Sequence, residues 1–235
     1  AGRKSNAPKA EKQIISFKNG LAELPQLLVT ALGESVHANV SISSIQKIGV
    51  GWRVDWNGKT NIYDEVLLTT PAHALDKLPL DESLQKALQP LLAIDYSPVS
   101  VLTVAFKRSD VCHPLDGFGV LVPEYEGRKI LGALFPASLF ASRAPAGEVL
   151  LTVFVGGERQ AGLAVPDKDT LLATVLPELN ELFGTTGEPT FSHHRHWPRA
   201  IPQYNLGYGK MLAQMDAIEK KFVGLKLAGL SLIHI

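Results

Sequence analysis

Four strand-like segments in the middle of the chain constrain its fold more than any other feature. They cover residues 99–106, 119–122, 130–135 and 149–155, and Pro or Gly turn signals separate them. A further segment with alternating polarity covers residues 190–196. Repeated short strands between turn signals are typical of an antiparallel sheet. We therefore predict a predominantly antiparallel sheet.

Helical periodicity occurs on both sides of these segments. The strongest helix pattern is a stripe of leucines and other apolar residues, before which Asp167 or Asp169 can cap the first turn. The predicted helices cover residues 21–32, 81–92, 167–183 and 211–222. Helices together with an antiparallel sheet place the chain in the α+β class.

Residues 52–63 predict a β-hairpin. Asn57 and Gly58 stand between two alternating segments, and this pair readily adopts the positive φ angles of a two-residue hairpin turn. A buried strand is predicted over residues 64–70, before Pro71. The segment WPRAIPQYNLGYG, rich in Pro and Gly, is predicted to be a loop.

Composition and charge exclude several classes of protein. The chain has 235 residues, 46% of them hydrophobic, which suffices for a substantial core. Its 23 basic and 23 acidic residues balance, so it offers no net attraction to nucleic acid. The single cysteine, Cys112, cannot form an intramolecular disulfide and favours a reducing, cytoplasmic compartment. The longest apolar run, near residues 149–155, is far shorter than the roughly 20 residues that cross a bilayer.

The residues provide no recognisable catalytic or metal-binding motif. His193, His194 and His196 suggest a metal site, but no cluster of Cys, Asp or Glu lies near them in sequence, and strand alternation explains them better. Cys112 and His113 are adjacent, so in a strand they would point to opposite faces rather than form a nucleophile and base. We therefore predict no metal, and the catalytic residues stay unknown.

Several segments of the chain resemble the oxygen-dependent protoporphyrinogen oxidase family, and they occur in the same order. The segments specific to that family are HPLDGFGVLVP, KILGALFPASLFASRAP, LLTVFVGGER and WPRAIPQYNLGY. The segments shared with the wider flavin-containing amine oxidase group are SFKNGLAELPQLLVTALG, VHANVSISSIQ and DEVLLTTPAHAL. The resemblance covers about residues 14–229.

This resemblance implies an FAD-dependent enzyme that oxidises protoporphyrinogen with dioxygen in haem biosynthesis. It also implies an FAD-binding domain made of separate segments, with an inserted substrate domain built on a mixed, mostly antiparallel sheet. The domain bounds expected from it are a linker or loop remnant at 1–13, part of the FAD-binding domain at 14–79, the substrate-binding domain at 80–205, a return helix and strand at 206–229, and a non-native tail at 230–235.

The same resemblance implies roles for five residues. Ile42 matches the aliphatic position whose main chain meets the adenine of FAD, and Trp197 matches an aromatic position near the flavin. Leu121, Leu134 and Phe154 match apolar residues that hold the rings of the porphyrinogen. An apolar site suits a flat hydrophobic substrate that is placed by stacking and van der Waals contact.

The chain departs from the family at both ends. It has no glycine-rich strand–turn–helix for the FAD pyrophosphate, and the residues after Leu227-Ala228-Gly229 do not match the family's glycine-rich flavin segment. We therefore expect a fragment that binds FAD weakly and is inactive alone. The membrane-contacting region and the basic residue that pairs with a substrate propionate are expected outside this chain. A cytoplasmic location, peripheral membrane contact and a homodimer are compatible with the resemblance.

Three alternatives to this function stay open at the level of sequence. The first is another flavin amine oxidase, and the second is a relative that acts on coproporphyrinogen. The pocket segments GFGVLVP and LLTVFVGG argue against an amine substrate. The third is a non-catalytic module that binds a tetrapyrrole without any cofactor.

Overall fold

The computed structural model describes residues 14–140 and 142–232, which form an α+β fold. The described residues divide into two compact units, one that ends at Val40 and one that begins at Ser41. The α-helices are α1 (Glu23–Leu32), α2 (Glu82–Leu88), α3 (Pro136–Leu139), α4 (Lys168–Phe183) and α5 (Tyr208–Lys221). The strands are β1 (Ile42–Ile48), β2 (Gly51–Trp56), β3 (Lys59–Tyr63), β4 (Val66–Leu68), β5 (Tyr96–Lys107), β6 (Gly119–Leu121), β7 (Gly132–Leu134), β8 (Glu148–Gly156), β9 (Phe191–Pro202) and β10 (Leu225–Leu227). The predicted fold class is confirmed.

The first unit contains α1, which confirms the helix predicted over residues 21–32. Pro25 lies in its first turn, where a missing N–H costs little, and Gly33 ends the helix with a φ of 54°. The Glu23 carboxylate accepts a hydrogen bond from the Asn19 backbone N–H at 3.1 Å. No residue of α1 is buried, so its leucines form an exposed apolar stripe.

A three-stranded antiparallel sheet, in the order β1-β2-β3, begins the second unit. Asn57 and Gly58 join β2 to β3 with φ angles of 47° and 75°, which confirms the predicted hairpin turn. The Trp52 side chain is fully buried, and its Nε1 donates a hydrogen bond to the Val223 carbonyl at 3.2 Å. This bond connects the hairpin to the turn before β10.

The two short strands β4 and β10 pair with each other in parallel, although they are far apart in sequence. Their register pairs Val66 with Leu225 and Leu68 with Leu227. Gly224 precedes β10 with a φ of +85°, and a Cβ there would lie 2.6 Å from the Asp64 carbonyl oxygen. Only glycine therefore suits this approach. The strand predicted over residues 64–70 is confirmed but shorter.

The largest sheet has five strands in the order β6-β7-β8-β5-β9, and all neighbours are antiparallel. Helix α4 confirms the helix predicted over residues 167–183, and it packs against one face of this sheet. Its predicted cap is Asp167, whose carboxylate accepts a hydrogen bond from the Thr170 backbone N–H at 2.8 Å. The bonds from Thr170 lower the pKa of Asp167. Helix and sheet share one buried core, whose residues include Leu102, Val104, Phe106, Leu151, Val153, Leu171, Val175, Leu179 and Phe183.

The loop predicted for the segment WPRAIPQYNLGYG is wrong in its first half, because β9 continues to Pro202. β9 is an edge strand, where a proline without an N–H breaks no ladder hydrogen bond on the open side. The register also shifts between Ser97 and Val99, so Pro198 lies in an irregular stretch. The proline residues of this segment therefore predicted a loop where the structure has an edge strand.

The domain bounds implied by the resemblance stay predictions. Residues 1–13, expected to be a linker, and residues 233–235 of the expected tail lie outside the described residues. Leu230–Leu232 form a 3-10 turn, in which the Ser231 hydroxyl accepts a hydrogen bond from the Ala72 backbone N–H at 3.1 Å. Across residues 14–140 and 142–232, the helices are all too short or too polar to cross a bilayer.

The packing of α4 predicts a difference between two adjacent leucines. Leu171 is fully buried against the sheet, whereas its neighbour Leu172 is only half-buried. We expect Leu171→Ala to lower the free energy of unfolding by about 2–5 kcal/mol, because it removes buried apolar contacts and leaves a cavity. Leu172→Ala is the matched control with a smaller loss. Urea unfolding measures both, and equal losses would contradict this packing.

Candidate functional site

The face of the five-stranded sheet opposite α4 carries the candidate site. We call it the open face. Its side chains come from the alternate strand positions that do not enter the core under α4. They are Leu121, Leu134, Leu150, Thr152, Phe154, Val101, Thr103, Phe191, His193, Arg195 and Trp197. This face is predominantly apolar and partly exposed.

The strand register brings together the three residues that the resemblance assigned to the substrate. Leu121 pairs with Gly132, and Gly132 pairs in turn with Phe154, so both side chains lie in one cross-strand row. Leu134 pairs with Thr152 in the next row. The two rows are about 7 Å apart along the strands. Leu121, Leu134 and Phe154 therefore form one continuous apolar surface.

Two glycines flatten the part of the open face that lies between these side chains. Gly119 pairs with Leu134 and Gly132 pairs with Leu121, so each leucine faces a glycine on the neighbouring strand. A Cβ at Gly119 would collide with the Ala133 carbonyl oxygen, and one at Gly132 with the Val120 carbonyl oxygen. Because neither position accommodates a side chain, the leucines border bare backbone on which a flat ligand can lie.

Trp197 lies on the same open face, at the β9 edge. Its side chain is 46% exposed, and the Arg195 guanidinium carbon stands 4.7 Å from the centre of its ring. Residues two apart in a strand share a face, which is why these side chains meet. The structure therefore places Trp197 with Leu121, Leu134 and Phe154 on one surface, whereas Ile42 lies apart in the three-stranded sheet, 39% exposed on β1.

A small cavity of about 140 Å³ lies at the carboxyl ends of β4 and β10, where parallel strands commonly present ligand sites. It is lined by Thr69, Pro71, His73, Tyr96, Arg199, Ala200, Leu230 and Ser231. Two buried polar atoms beside it, Thr70 Oγ1 and His73 Nδ1, have no hydrogen-bond partner among the described residues. Sequence reasoning missed His73 and Arg199, since a lone histidine and a lone arginine in apolar segments carry no motif.

Burial and nearby cations change the protonation of His73. Burial lowers the pKa of this imidazole most, Arg199 and Lys77 lower it further, and Asp76 partly opposes them. The His73 ring also packs edge-on against Tyr96, with 4.7 Å between the ring centres. At neutral pH His73 is therefore a neutral ring that can exchange a hydrogen bond with a ligand in the cavity.

The histidines of β9 take two different environments. His196 Nδ1 lies 3.1 Å from the Ser100 hydroxyl on the α4 side of the sheet, and His194 is half-buried on that side too. Burial lowers the pKa of His194, and His196 adds to this effect. His193 lies on the open face, so the predicted alternation is correct. Within the described ranges, no group of three or more His, Cys, Asp or Glu side chains could hold a metal ion.

Similarity to known proteins identifies the family. Residues 3–232 match the family model described as flavin containing amine oxidoreductase. The chain belongs to this family. It is therefore related to oxidoreductases, and the predicted cofactor, FAD, is confirmed at the level of the family.

Individual relatives give the resemblance more detail. The chain is 39% identical to the mitochondrial protoporphyrinogen oxidase of Nicotiana tabacum over 71% of its own length and 34% of that protein. It is 26% identical to the coproporphyrinogen III oxidase of Staphylococcus aureus over 96% of its length and 48% of that protein. A candidate protoporphyrinogen oxidase from Exiguobacterium sp. 255-15 has a similar structure, with a TM-score of 0.74, 22% identity, and coverage of 92% of this chain and 47% of that one.

These comparisons confirm the predicted family resemblance and fold. The structural likeness, at 22% identity, concerns the fold alone. The chain spans between about a third and a half of the length of the proteins it matches. The roles of Ile42, Trp197, Leu121, Leu134 and Phe154 stay predictions.

The environment of His73 leads to a prediction about pH. Its pKa lies below the ordinary value of 6.5, so the unfolded chain binds more protons than the folded chain as the pH falls below 6.5. The free energy of unfolding should therefore decrease with falling pH in that range. We expect the free energy of unfolding to fall less between pH 7.5 and pH 5.5 in His73→Gln than in the unmodified chain. Urea unfolding at each pH measures this difference. The exposed His37→Gln is the control, and an unchanged pH dependence in His73→Gln would contradict the prediction.

Proposed function

We propose that this chain supplies the substrate-binding surface and part of the cofactor-binding domain of an FAD-dependent protoporphyrinogen oxidase. The open face carries this proposal, because it presents Leu121, Leu134 and Phe154 together on a flat surface. The 39% identity to a protoporphyrinogen oxidase supports the same substrate class. The domain bounds proposed are 14–79 and 206–229 for the FAD-binding part and 80–205 for the substrate part.

The open face suits a large, apolar, ring-shaped substrate better than a small amine. Its central row crosses five strands, a width of about 19 Å at the usual strand spacing. Leu121 is 90% exposed, an arrangement that a porphyrinogen can cover by van der Waals contact. Covering the leucines and Phe154 removes apolar area from water, which favours binding.

The residues of this chain orient and shield the substrate in the proposed reaction. Flavin supplies the redox chemistry when bound, accepting the hydrogens of the porphyrinogen and passing electrons to dioxygen. Trp197 lies on β9. The cavity near His73 borders the same strand, because Arg199 and Ala200 of β9 line it. We propose that Trp197 borders the flavin and that the Ile42 main chain meets the adenine.

The cavity at the ends of β4 and β10 fits one part of such a cofactor. The Thr70 hydroxyl and His73 Nδ1 beside it can hydrogen-bond a polar group, and Arg199 adds a positive charge. Gly229 follows β10 with a φ of +122°, and a Cβ there would lie 3.1 Å from the Thr69 carbonyl oxygen. Glycine at this position therefore lets the backbone after β10 pass close to the backbone after β4.

The proposed substrate leads to a test of Phe154. We expect Phe154→Ala to weaken binding of protoporphyrin IX to this chain about tenfold, equivalent to about 1.4 kcal/mol, because an aromatic contact is lost. Porphyrin fluorescence titration measures the affinity. Tyr63→Ala, which removes an exposed aromatic from β3 in the other sheet, is the control.

The outcomes of that titration distinguish the candidate functions. Unchanged affinity in Phe154→Ala would contradict the open face as the porphyrin site. Tighter binding of coproporphyrin III than of protoporphyrin IX would favour the coproporphyrinogen alternative, to which the 26% identity with the Staphylococcus aureus enzyme lends support. Specific polyamine binding in competition with porphyrin would favour an amine substrate.

A further prediction concerns FAD. The chain contains no Gly-x-Gly-x-x-Gly loop, the element that places pyrophosphate at a helix N-terminus. We expect purified chain mixed with FAD to lose the yellow flavin absorbance on gel filtration while it still binds protoporphyrin. A stoichiometric flavin complex that survives gel filtration would overturn this expectation, and porphyrin binding without flavin would separate the binding surface from the redox function.

A further inference from the structure

Arg195 introduces a positive charge into the apolar open face. It lies in the same cross-strand row as Leu121 and Phe154, because Arg195 pairs with Val101 and Val101 pairs with Phe154. The side chain is exposed. Within residues 14–140 and 142–232, no carboxylate lies within ion-pair distance of its guanidinium. The charge therefore has no carboxylate partner in the described part of the chain.

The position of other charged residues leaves this charge unbalanced on its own face. Glu148 shares the alternating face of β8 with Phe154, but it pairs with Lys107 and lies six residues away, about 20 Å along the strand. His193 is the neighbouring polar residue on β9 and carries no negative charge. A ligand carboxylate on the open face would therefore meet a guanidinium that no described carboxylate already pairs.

Trp197 holds the guanidinium in a defined place. The Arg195 guanidinium carbon stands 4.7 Å from the centre of the Trp197 ring, within the range of a cation–π contact. A cation–π contact uses none of the guanidinium N–H groups as donors to an oxygen, so they stay available to donate hydrogen bonds to a ligand. Arg195 is therefore positioned to bind a planar carboxylate while the ligand's apolar part covers Phe154.

We propose that Arg195 is a specificity-determining residue that binds a carboxylate of the tetrapyrrole on the open face. This inference rests on the proposed function, since it takes the open face as the substrate surface. It adds an electrostatic contact at the β9 edge to the apolar contacts of Leu121, Leu134 and Phe154. The site then selects a flat apolar ring that carries an acidic side chain over an equally flat neutral ring.

The test compares a charged porphyrin with a neutral one. Protoporphyrin IX carries propionate carboxylates, and its dimethyl ester has the same ring without those charges. The affinity of each for the full chain is measured by fluorescence titration at low ionic strength. We expect the acid to bind about three- to tenfold more tightly than the ester, as charge-assisted hydrogen bonds of moderate strength would produce.

Substitutions at Arg195 then locate the preference. In Arg195→Met, which keeps an unbranched apolar stem, the ratio of acid to ester affinity should fall to about one, while Arg195→Lys should keep part of it. Lys59→Met is the matched control, because Lys59 also makes a cation–π contact with a tryptophan, but on the three-stranded sheet. Its Nζ lies 5.2 Å from the Trp56 ring centre. The control should keep the full ratio.

Each outcome decides the inference or the proposed function separately. An equal loss of affinity for acid and ester in Arg195→Met would mean that Arg195 only positions Trp197, and it would overturn the carboxylate contact. An unchanged ratio in Arg195→Met would overturn it as well. If acid and ester both bind and Phe154→Ala weakens them, the proposed function stands whatever Arg195 does. If neither porphyrin binds the unmodified chain, the proposed function and this inference both fail.

Discussion

The packing of one helix against one face of the five-stranded sheet is the constraint on which the rest of the structure depends. Leu171, Val175 and Leu179 of α4 bury the alternate residues of β5 and β8, and this buried surface fixes which side chains point inward. Because the side-chain period of a strand is two, the same contact decides which side chains point outward. The open face therefore exists because α4 covers the opposite one.

An exposed apolar surface of this kind is costly for an isolated domain. Leu121, Phe191 and Trp197 are all about half or more exposed, and apolar area in water forgoes roughly 25 cal/mol per Å² of stabilisation. Such a patch commonly marks a binding surface. A porphyrinogen would cover it, and the row of Phe154 and Arg195 offers both an apolar ring contact and a positive charge at its edge.

Strand β9 connects the two candidate binding regions. Its first half contributes Arg195 and Trp197 to the open face, and its second half contributes Arg199 and Ala200 to the cavity beside His73. The register shift between Ser97 and Val99 marks the change between these halves. One continuous strand thus connects the proposed substrate surface to the cavity at the ends of the parallel pair, where we propose that a cofactor group binds.

The sequence by itself determined the local elements and the family. Helix α4, its Asp167 cap and the Asn57-Gly58 hairpin follow from periodicity and turn chemistry, which act over a few residues. The loop predicted from Trp197 onward is wrong as far as Pro202, where β9 ends. Prolines indicate a loop unless the strand is known to lie at the edge of a sheet, and the sequence does not reveal that position. Only the tertiary structure decided the strand order β6-β7-β8-β5-β9, which places Leu121, Leu134, Phe154 and Arg195 on one surface. It also decided that His73 and Arg199 line one cavity. Strand order depends on contacts between distant segments, and local sequence patterns do not specify those contacts.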